Sequence, residues 1–541
     1  MTATTASTEK EFEKSLAKAS DETANRLVNF VIAAASVTLA FLLQQLLLGS
    51  HYETNDDFAH AMVLSGALPG TVPDEHLLTP NILLSQFLKN LYQNSPQVPW
   101  YFAFLISLQW VAAAVLQYLL VKRLQVRNGL VAYWLYFVCA QAYLLTFLQF
   151  TSTAIFASGC GALLVLDACA AGSVSIGSVL VSVLLFGLSA LVRYQSCLLS
   201  VLISLPALLL QTSAGIKRKI LGIAFLLLVA VSCQALQSMN AAYFARDSAW
   251  GDFYSVRASL LKLIDFAGIA STGESPPLKA AGWSVNDGKM LQSFVYCDGE
   301  IFSSQRIRAA ANAAPLLRQD VSPAYVGAEF ARMLGDRSTW SVFALTAMAF
   351  WFMGRTCALR RKGFLIFAGF VCATLAYIVL CMKLPARVYY PCFSLVLAVA
   401  LLNVERAKLS RFAADMFNSF SRAGRQNQPK RALVLAAIGV CLLVAFCRLQ
   451  YLCQIKPAFI WNELGKQTDL CLQELGKAGG TYVVLGNAFP YEYLSPTCEL
   501  RTALNGISLS PTGGYNNSPW FDSCAANLGL GPHVLRSLDS P

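Results

Sequence analysis

Residues 26–79 read RLVNFVIAAASVTLAFLLQQLLLGSHYETNDDFAHAMVLSGALPGTVPDEHLLT. The first part, residues 26–49, is an apolar run long enough to cross a hydrocarbon core of ~30 Å at ~1.5 Å per helical residue. Directly after it, residues 51–79 hold three of the chain's four histidines, His51, His60 and His76. The same stretch holds Glu53, Asp56, Asp57, Asp74 and Glu75. The flanking chain is too apolar to need such a cluster for solubility. The stretch therefore predicts a membrane span that delivers a polar, functional loop to one face, with the rest of the chain as scaffold, substrate channel and lid.

Working outward, apolar runs of the same kind recur along all 541 residues, of which 56% are hydrophobic and only 13% charged, with mean hydropathy +0.52. That composition overrides the several soluble domains that length alone suggests. The reading is an all-α polytopic membrane protein of about eleven spans: 26–49, 98–121, 129–148, 153–171, 175–193, 196–211, 219–238, 338–355, 363–382, 388–403 and 432–452. Basic residues cluster in alternate loops: Lys122, Arg123 and Arg127, then Lys217, Arg218 and Lys219, then Arg355, Arg360, Arg361 and Lys362, then the segment from Arg406 to Arg431. The positive-inside rule then places the N-terminus in the cytoplasm. The net charge of +11 is spread over these loops, which excludes a nucleic-acid footprint. Residues 1–25 are polar and of mixed charge, unlike a secretory signal, and read as a cytoplasmic tail.

The membrane domain spans 26–452. Three long segments fall outside it on the far face: loop 50–97, loop 239–337 and the tail 453–541. In the first, LTPNILLSQFLKNLY (78–92) has helical apolar spacing and is expected along the membrane surface. Trp100 and Tyr101 in PQVPWYFAF (96–104) are expected as interfacial anchors. In the tail, a helical stretch (461–477), the Gly479-Gly480 turn and TYVVLGNAF (481–489) predict a small extracytoplasmic α/β cap domain.

The candidate chemistry gathers at that face. Asp56 and Asp57 lie just past the first span, where a carboxylate can act as general base on an acceptor hydroxyl or ligate a cation. On a helix from Asn55, His60 shares a face with both. The alternative is an ordinary helix N-cap. A divalent cation (Mg, Mn or Ca) held by Asp57, His60 and His76 is a further reading. Arg193, at an outer span end, runs against the inward bias of the other basic residues and suits a phosphate clamp, against simple snorkelling to head groups. Lys383 and Arg387 in CMKLPARVYYP repeat the pattern. Gln149 and Thr151 offer polar contacts or a helix cap. Trp283, Asn286 and Asp287 in GWSVNDGKM read as a sugar platform or as a turn around a buried Trp. No nucleophile elbow, P-loop, Rossmann fingerprint or zinc-type cysteine pair is placed where it would work.

NDDFAHAMVLSG, PDEHL, SPQVPWY, RYQS, GWSVND and LPARVYYP together resemble a group of bacterial membrane proteins of the GT-C superfamily, the integral-membrane glycosyltransferases that use polyprenyl-phosphate sugars. The resemblance covers most of the first ten spans and adds little in the tail. It implies a GT-C-like fold in the bacterial cytoplasmic membrane with the site on its outer side. A first-loop Asp, here Asp56 or Asp57, would be the base, and Arg193, Arg387 and Lys383 would hold the donor phosphate. His60, His76, Gln149, Trp283 and Asp287 are the remaining candidates for substrate contact. The expected partners are the lipid bilayer, a polyprenyl-phosphate-linked sugar and a glycan, lipid or protein acceptor. The rival readings are a transporter or flippase for a lipid-linked or anionic solute, and a non-catalytic scaffold of envelope assembly. A transporter predicts internal repeats and charges at the membrane midplane. No repeat is found, and Asp167 is the main charge within a span.

Overall fold

The computed structural model describes residues 3–530, apart from 69, 172–174, 210–213, 267–274, 316–321, 354–357, 412–413, 416–428, 485–488, 499, 505–507 and 512–513. Among these residues, eight helices are long and apolar enough to cross a membrane. They are Leu27–Leu47, Trp100–Leu124, Val126–Thr146, Phe150–Ala171, Ile176–Leu209, Ile216–Phe244, Arg361–Cys381 and Val440–Ala478, and a shorter apolar helix covers Ala386–Leu402. The molecule is an all-α polytopic membrane protein. The polar residues ahead of the first span continue into it, in one helix that runs from Ala3 to Leu47.

The eleven expected spans and these eight helices differ in three places, the first being the expected span 388–403, which is the shorter helix Ala386–Leu402. The segment 338–355 forms a helix of only 16 residues, Arg337–Phe352. The fifth and sixth expected spans share the 34-residue helix Ile176–Leu209, which is broken at Arg193, where φ is −159° and ψ is 101°. That extended residue reverses the chain. Cys197 Sγ donates to Phe186 O at 3.7 Å across eleven positions, a separation of ~16 Å in a straight helix. Ser189 Oγ donates to Ala154 O (2.7 Å) and Ser200 Oγ to Ile155 O (3.2 Å), so both halves lean on the Phe150–Ala171 helix at one level. With no water in a bilayer core, these serines find their partners in neighbouring backbone carbonyls.

The helix ends sort onto two faces. At one, Asp167 binds Lys122 (2.5 Å) and Arg123 (3.0 Å), pairing the main charge found within a span. At the other lie the three long segments. The second of them contains the helices Ser248–Leu261, Pro276–Ala281, Val285–Gln292, Ser304–Ala313 and Pro323–Gly335. Several of these pack on a small core of their own that includes Trp283, Tyr296 and Phe302. In the tail, Thr481–Val484 pairs in parallel with Ser508–Pro511 beside short helices. The 78–92 stretch gives the helix Ile82–Asn94, capped by Asn81, with Leu84, Leu88 and Tyr92 buried and Leu83 and Phe87 exposed.

These segments close over residues 51–79. Glu492 N donates to Asn55 Oδ1 (3.0 Å), Arg501 Nε to Ser65 O (2.7 Å) and Asn527 Nδ2 to Gly70 O (3.0 Å). Tyr491 stacks on Phe58 at 4.9 Å. From the second segment, Phe294 O and Tyr296 O accept from Asn516 and Asn517 of the tail.

Candidate functional site

The site begins with the helix Asn55–Ser65. It ends at Gly66, whose left-handed backbone (φ 60°) bonds back to Met62 O and Val63 O. A Cβ there would lie 2.5 Å from Pro73 N and Val72 C, so only glycine turns the chain at this point. The helix starts on its acidic pair, and the two carboxylates meet opposite fates.

Asp57 is fully buried. Its Oδ1 accepts from Tyr101 OH (2.9 Å) and from Phe150 N (3.1 Å), while Thr54 Oγ1 lies 3.3 Å from Oδ2. Burial pushes its carboxyl well above the usual range, against the lowering pull of the Tyr101 and Phe150 hydrogen bonds. That favours the neutral acid, which cannot accept a proton. His60 is buried beside it, with Nδ1 3.2 Å from Tyr101 OH and its ring edge-on to Phe150 at 5.3 Å. Burial first, with Arg257 and Arg193 adding to it against Asp56, lowers its pKa to about 3. Asp57, Tyr101, His60 and Phe150 N therefore form a neutral buried knot tying the loop to two membrane helices. Tyr101 belongs to this knot with 1% of its surface exposed, not to an interfacial belt.

Asp56 faces outward, its side chain 60% exposed. Arg387 Nη1 lies 3.9 Å from Asp56 Oδ2. Arg257 is within electrostatic reach of Asp56, Tyr254, Tyr296 and Tyr515, and burial lowers its pKa. Its Nη2 donates to Thr79 Oγ1 at 3.2 Å. Arg193 Nη1 donates to Thr151 Oγ1 (2.6 Å), and its guanidinium lies 5.3 Å from the Phe150 ring centre. Arg387 and Arg257, from separate parts of the chain, thus act on one accessible carboxylate, and Arg193 with Arg257 acts on the buried His60 behind it. Lys383, four residues before Arg387 in the chain, is exposed.

The other candidates are engaged elsewhere. Gln149 Oε1 accepts from Thr151 N and Ser152 N, capping the Phe150–Ala171 helix. Trp283 is buried in the small second-segment core, where its Nε1 donates to Ile301 O at 2.7 Å. Asp287 closes a capping box with Ser284. His76 does not join Asp57 and His60. It stacks on Trp250 at 4.2 Å and shares Asp74 Oδ1 at 2.7 Å. Among the described residues, the one group of His, Cys, Asp or Glu side chains close enough to hold a cation is Asp74, Glu75 and His76. Glu75 in that group is already held by Lys89 (2.5 Å) and Tyr243 (2.9 Å).

Two residues of this region had no role in the sequence analysis: Arg257, and Glu53, which was named only among the loop's acidic groups. Arg257 is i+4 from Phe253 and i−3 from Leu260, both buried, so a charge on the apolar stripe of the Ser248–Leu261 helix was its signal. Glu53 carries no such mark. Parallel pairing of His51–Tyr52 with Phe147–Leu148 places it, and two residues of strand are too short to read. Its carboxyl is pushed up to about 7 by burial and by Asp336, against Arg387. No family model, no curated protein and no solved structure matches this chain.

Proposed function

We propose that the protein is a GT-C-type inverting glycosyltransferase of the bacterial cytoplasmic membrane, transferring a sugar from a polyprenyl phosphate to an acceptor hydroxyl on the outer side. The observation that carries this reading is the exposed Asp56 carboxylate, 3.9 Å from Arg387 and within electrostatic reach of Arg257, with Arg193 acting on the neighbouring His60. Guanidinium groups converging from separate elements suit a phosphate that must be held while charge builds on it. Asp56, accessible and set between cations, takes the role of general base; Asp57, buried and neutral, holds the loop.

In the proposed step the acceptor oxygen attacks the anomeric carbon and its proton passes to Asp56. The bond from that carbon to the phosphate oxygen breaks, and its electron pair leaves with polyprenyl phosphate, whose charge the arginines balance. The donor is already activated, so orientation and charge stabilisation are the protein's main contributions. A second reading, a transporter for an anionic lipid-linked solute, draws on the polar chain inside the bundle, where Gln141 Nε2 donates to Gln109 Oε1 (2.8 Å) and Gln109 Nε2 to Thr153 Oγ1 (2.9 Å).

The test is release of polyprenyl phosphate from a panel of polyprenyl-phosphate sugars by the protein in nanodiscs. Turnover that Asp56→Asn abolishes, with folding intact, supports the transferase. Donor binding without turnover, unchanged in Asp56→Asn and Asp57→Asn, refutes it in favour of transport.

A further inference from the structure

Beside the Asp56 group lies a second recess, of ≈ 460 Å³. Its wall includes Glu53 from the first outer segment, Tyr143 and Phe147 from the end of the Val126–Thr146 helix and the residue after it, Asp336 and Arg337 at the start of the Arg337–Phe352 helix, and Trp461 from the tail. That size falls within the roughly 300–1,000 Å³ of small-molecule sites. Tyr143 and Phe147 pack at 4.9 Å and Phe147 meets Trp461 edge-on at 5.2 Å, so three aromatic rings at steep angles line the recess.

The two carboxylates differ. Asp336 is committed: Oδ1 accepts from Ser338 N and Oγ, and Oδ2 from Tyr389 OH at 2.6 Å. Glu53 is anchored through its backbone N–H on Leu148 O (3.0 Å), while its side chain makes no hydrogen bond to any described residue. Arg337 lines the recess and Arg387 is within electrostatic reach of Glu53, so two positive groups offset the two acidic ones. A cation here meets two arginines, and an anion meets two carboxylates. A neutral ring bearing hydroxyls meets complementary groups throughout: aromatic faces for its C–H surface, a carboxylate for its donors and a guanidinium for its acceptors.

We propose that this recess binds a neutral sugar ring, stacked on Trp461 with Phe147 at its side, and with its hydroxyls on Glu53 and Arg337. Arg387 lies 3.9 Å from Asp56 and within electrostatic reach of Glu53, three residues before Asp56 in the chain, so the recess adjoins the proposed transfer site and the ring is the acceptor. Its role as acceptor rests on the glycosyltransferase reading; its binding does not.

The test is calorimetric titration of the full-length protein in nanodiscs with a panel of methyl hexosides and pentosides, with choline and inorganic phosphate as charged probes. The expected result is saturable binding of at least one methyl glycoside, weakened about tenfold or more in Glu53→Gln and Trp461→Leu. Trp461 also packs on Tyr493 at 4.8 Å. Tyr143→Phe and the near-isosteric Glu53→Gln therefore repeat the measurement without disturbing that contact. The proposal is overturned if no methyl glycoside binds, if glycoside binding ignores all three variants, or if choline or phosphate binding is what Glu53→Gln changes. Loss of polyprenyl-phosphate turnover leaves glycoside binding as a separate result, so the two readings fail independently.

Discussion

At the level of single residues, two adjacent aspartates were alike in sequence and are opposite in structure. Replacing Asp56 with Asn is expected to stop turnover while leaving the melting temperature within a degree or two, since its side chain is mostly exposed. Replacing Asp57 with Ala leaves Phe150 N and Tyr101 OH without their acceptor inside the protein. That is expected to lower stability by roughly 2–4 kcal/mol, read as a large drop in thermal midpoint. The helical register puts Asp56, Asp57 and His60 together; which one is wet depends on Tyr101 and Phe150, contributed by other helices, and no local pattern carries that. Acid response follows from the same burial. His60 is neutral in the fold with a pKa near 3, so its contribution to stability is present above about 6.5 and is lost as pH falls toward 3. Glu53, raised to about 7, has the opposite sign: its contribution is present below about 4.5 and is lost as pH rises through 7. Thermal melts between pH 4 and 8 should show the acid loss reduced in His60→Asn and the loss toward neutral pH reduced in Glu53→Gln.

At the level of elements, hydropathy alone located the apolar runs, because a span must be long and uninterrupted whatever surrounds it. It also separated 175–193 from 196–211, and the reversal at Arg193 agrees with that division although the helix is otherwise unbroken. Short strands and tight contacts lay beyond it. His51–Tyr52 pairs with Phe147–Leu148 across almost a hundred residues, and nothing in either dipeptide announces the partner. Gly66 is the most sensitive position in this class. Gly66→Ala forces a side chain into a left-handed residue against the backbone of Val72 and Pro73. Several kcal/mol of destabilisation is expected, about 1–2 from the backbone conformation itself and the rest from the clash. Hydrogen exchange should show the loop from 66 to 77 losing protection before the membrane helices do.

At the level of the whole molecule, the alternation of basic clusters suggested which face is which, and the gathering of the three long segments on one side agrees with a single functional face. The orientation has a direct check in Cys471, an exposed cysteine in the tail helix Lys456–Ala478. In intact cells, a membrane-impermeant maleimide should label the protein, and Cys471→Ser should remove most of that label; labelling only after lysis would reverse the topology. The tail itself was legible as strand and helix, but its docking was not, since its contacts reach back to Asn55, Ser65 and Gly70 across 437, 436 and 457 positions. Those separations set a clock. A ribosome adding about 5–20 residues per second takes roughly 20–90 seconds to make 437 residues, so the loop carrying Asp56 is inserted long before its covering segment exists. During that interval the nascent protein is a membrane anchor with an uncovered acidic loop, and a ribosome stalled before residue 490 leaves a product that spans the bilayer but lacks its lid. Covering of the Asp56 loop therefore waits for the tail, and every shorter nascent chain carries that loop open.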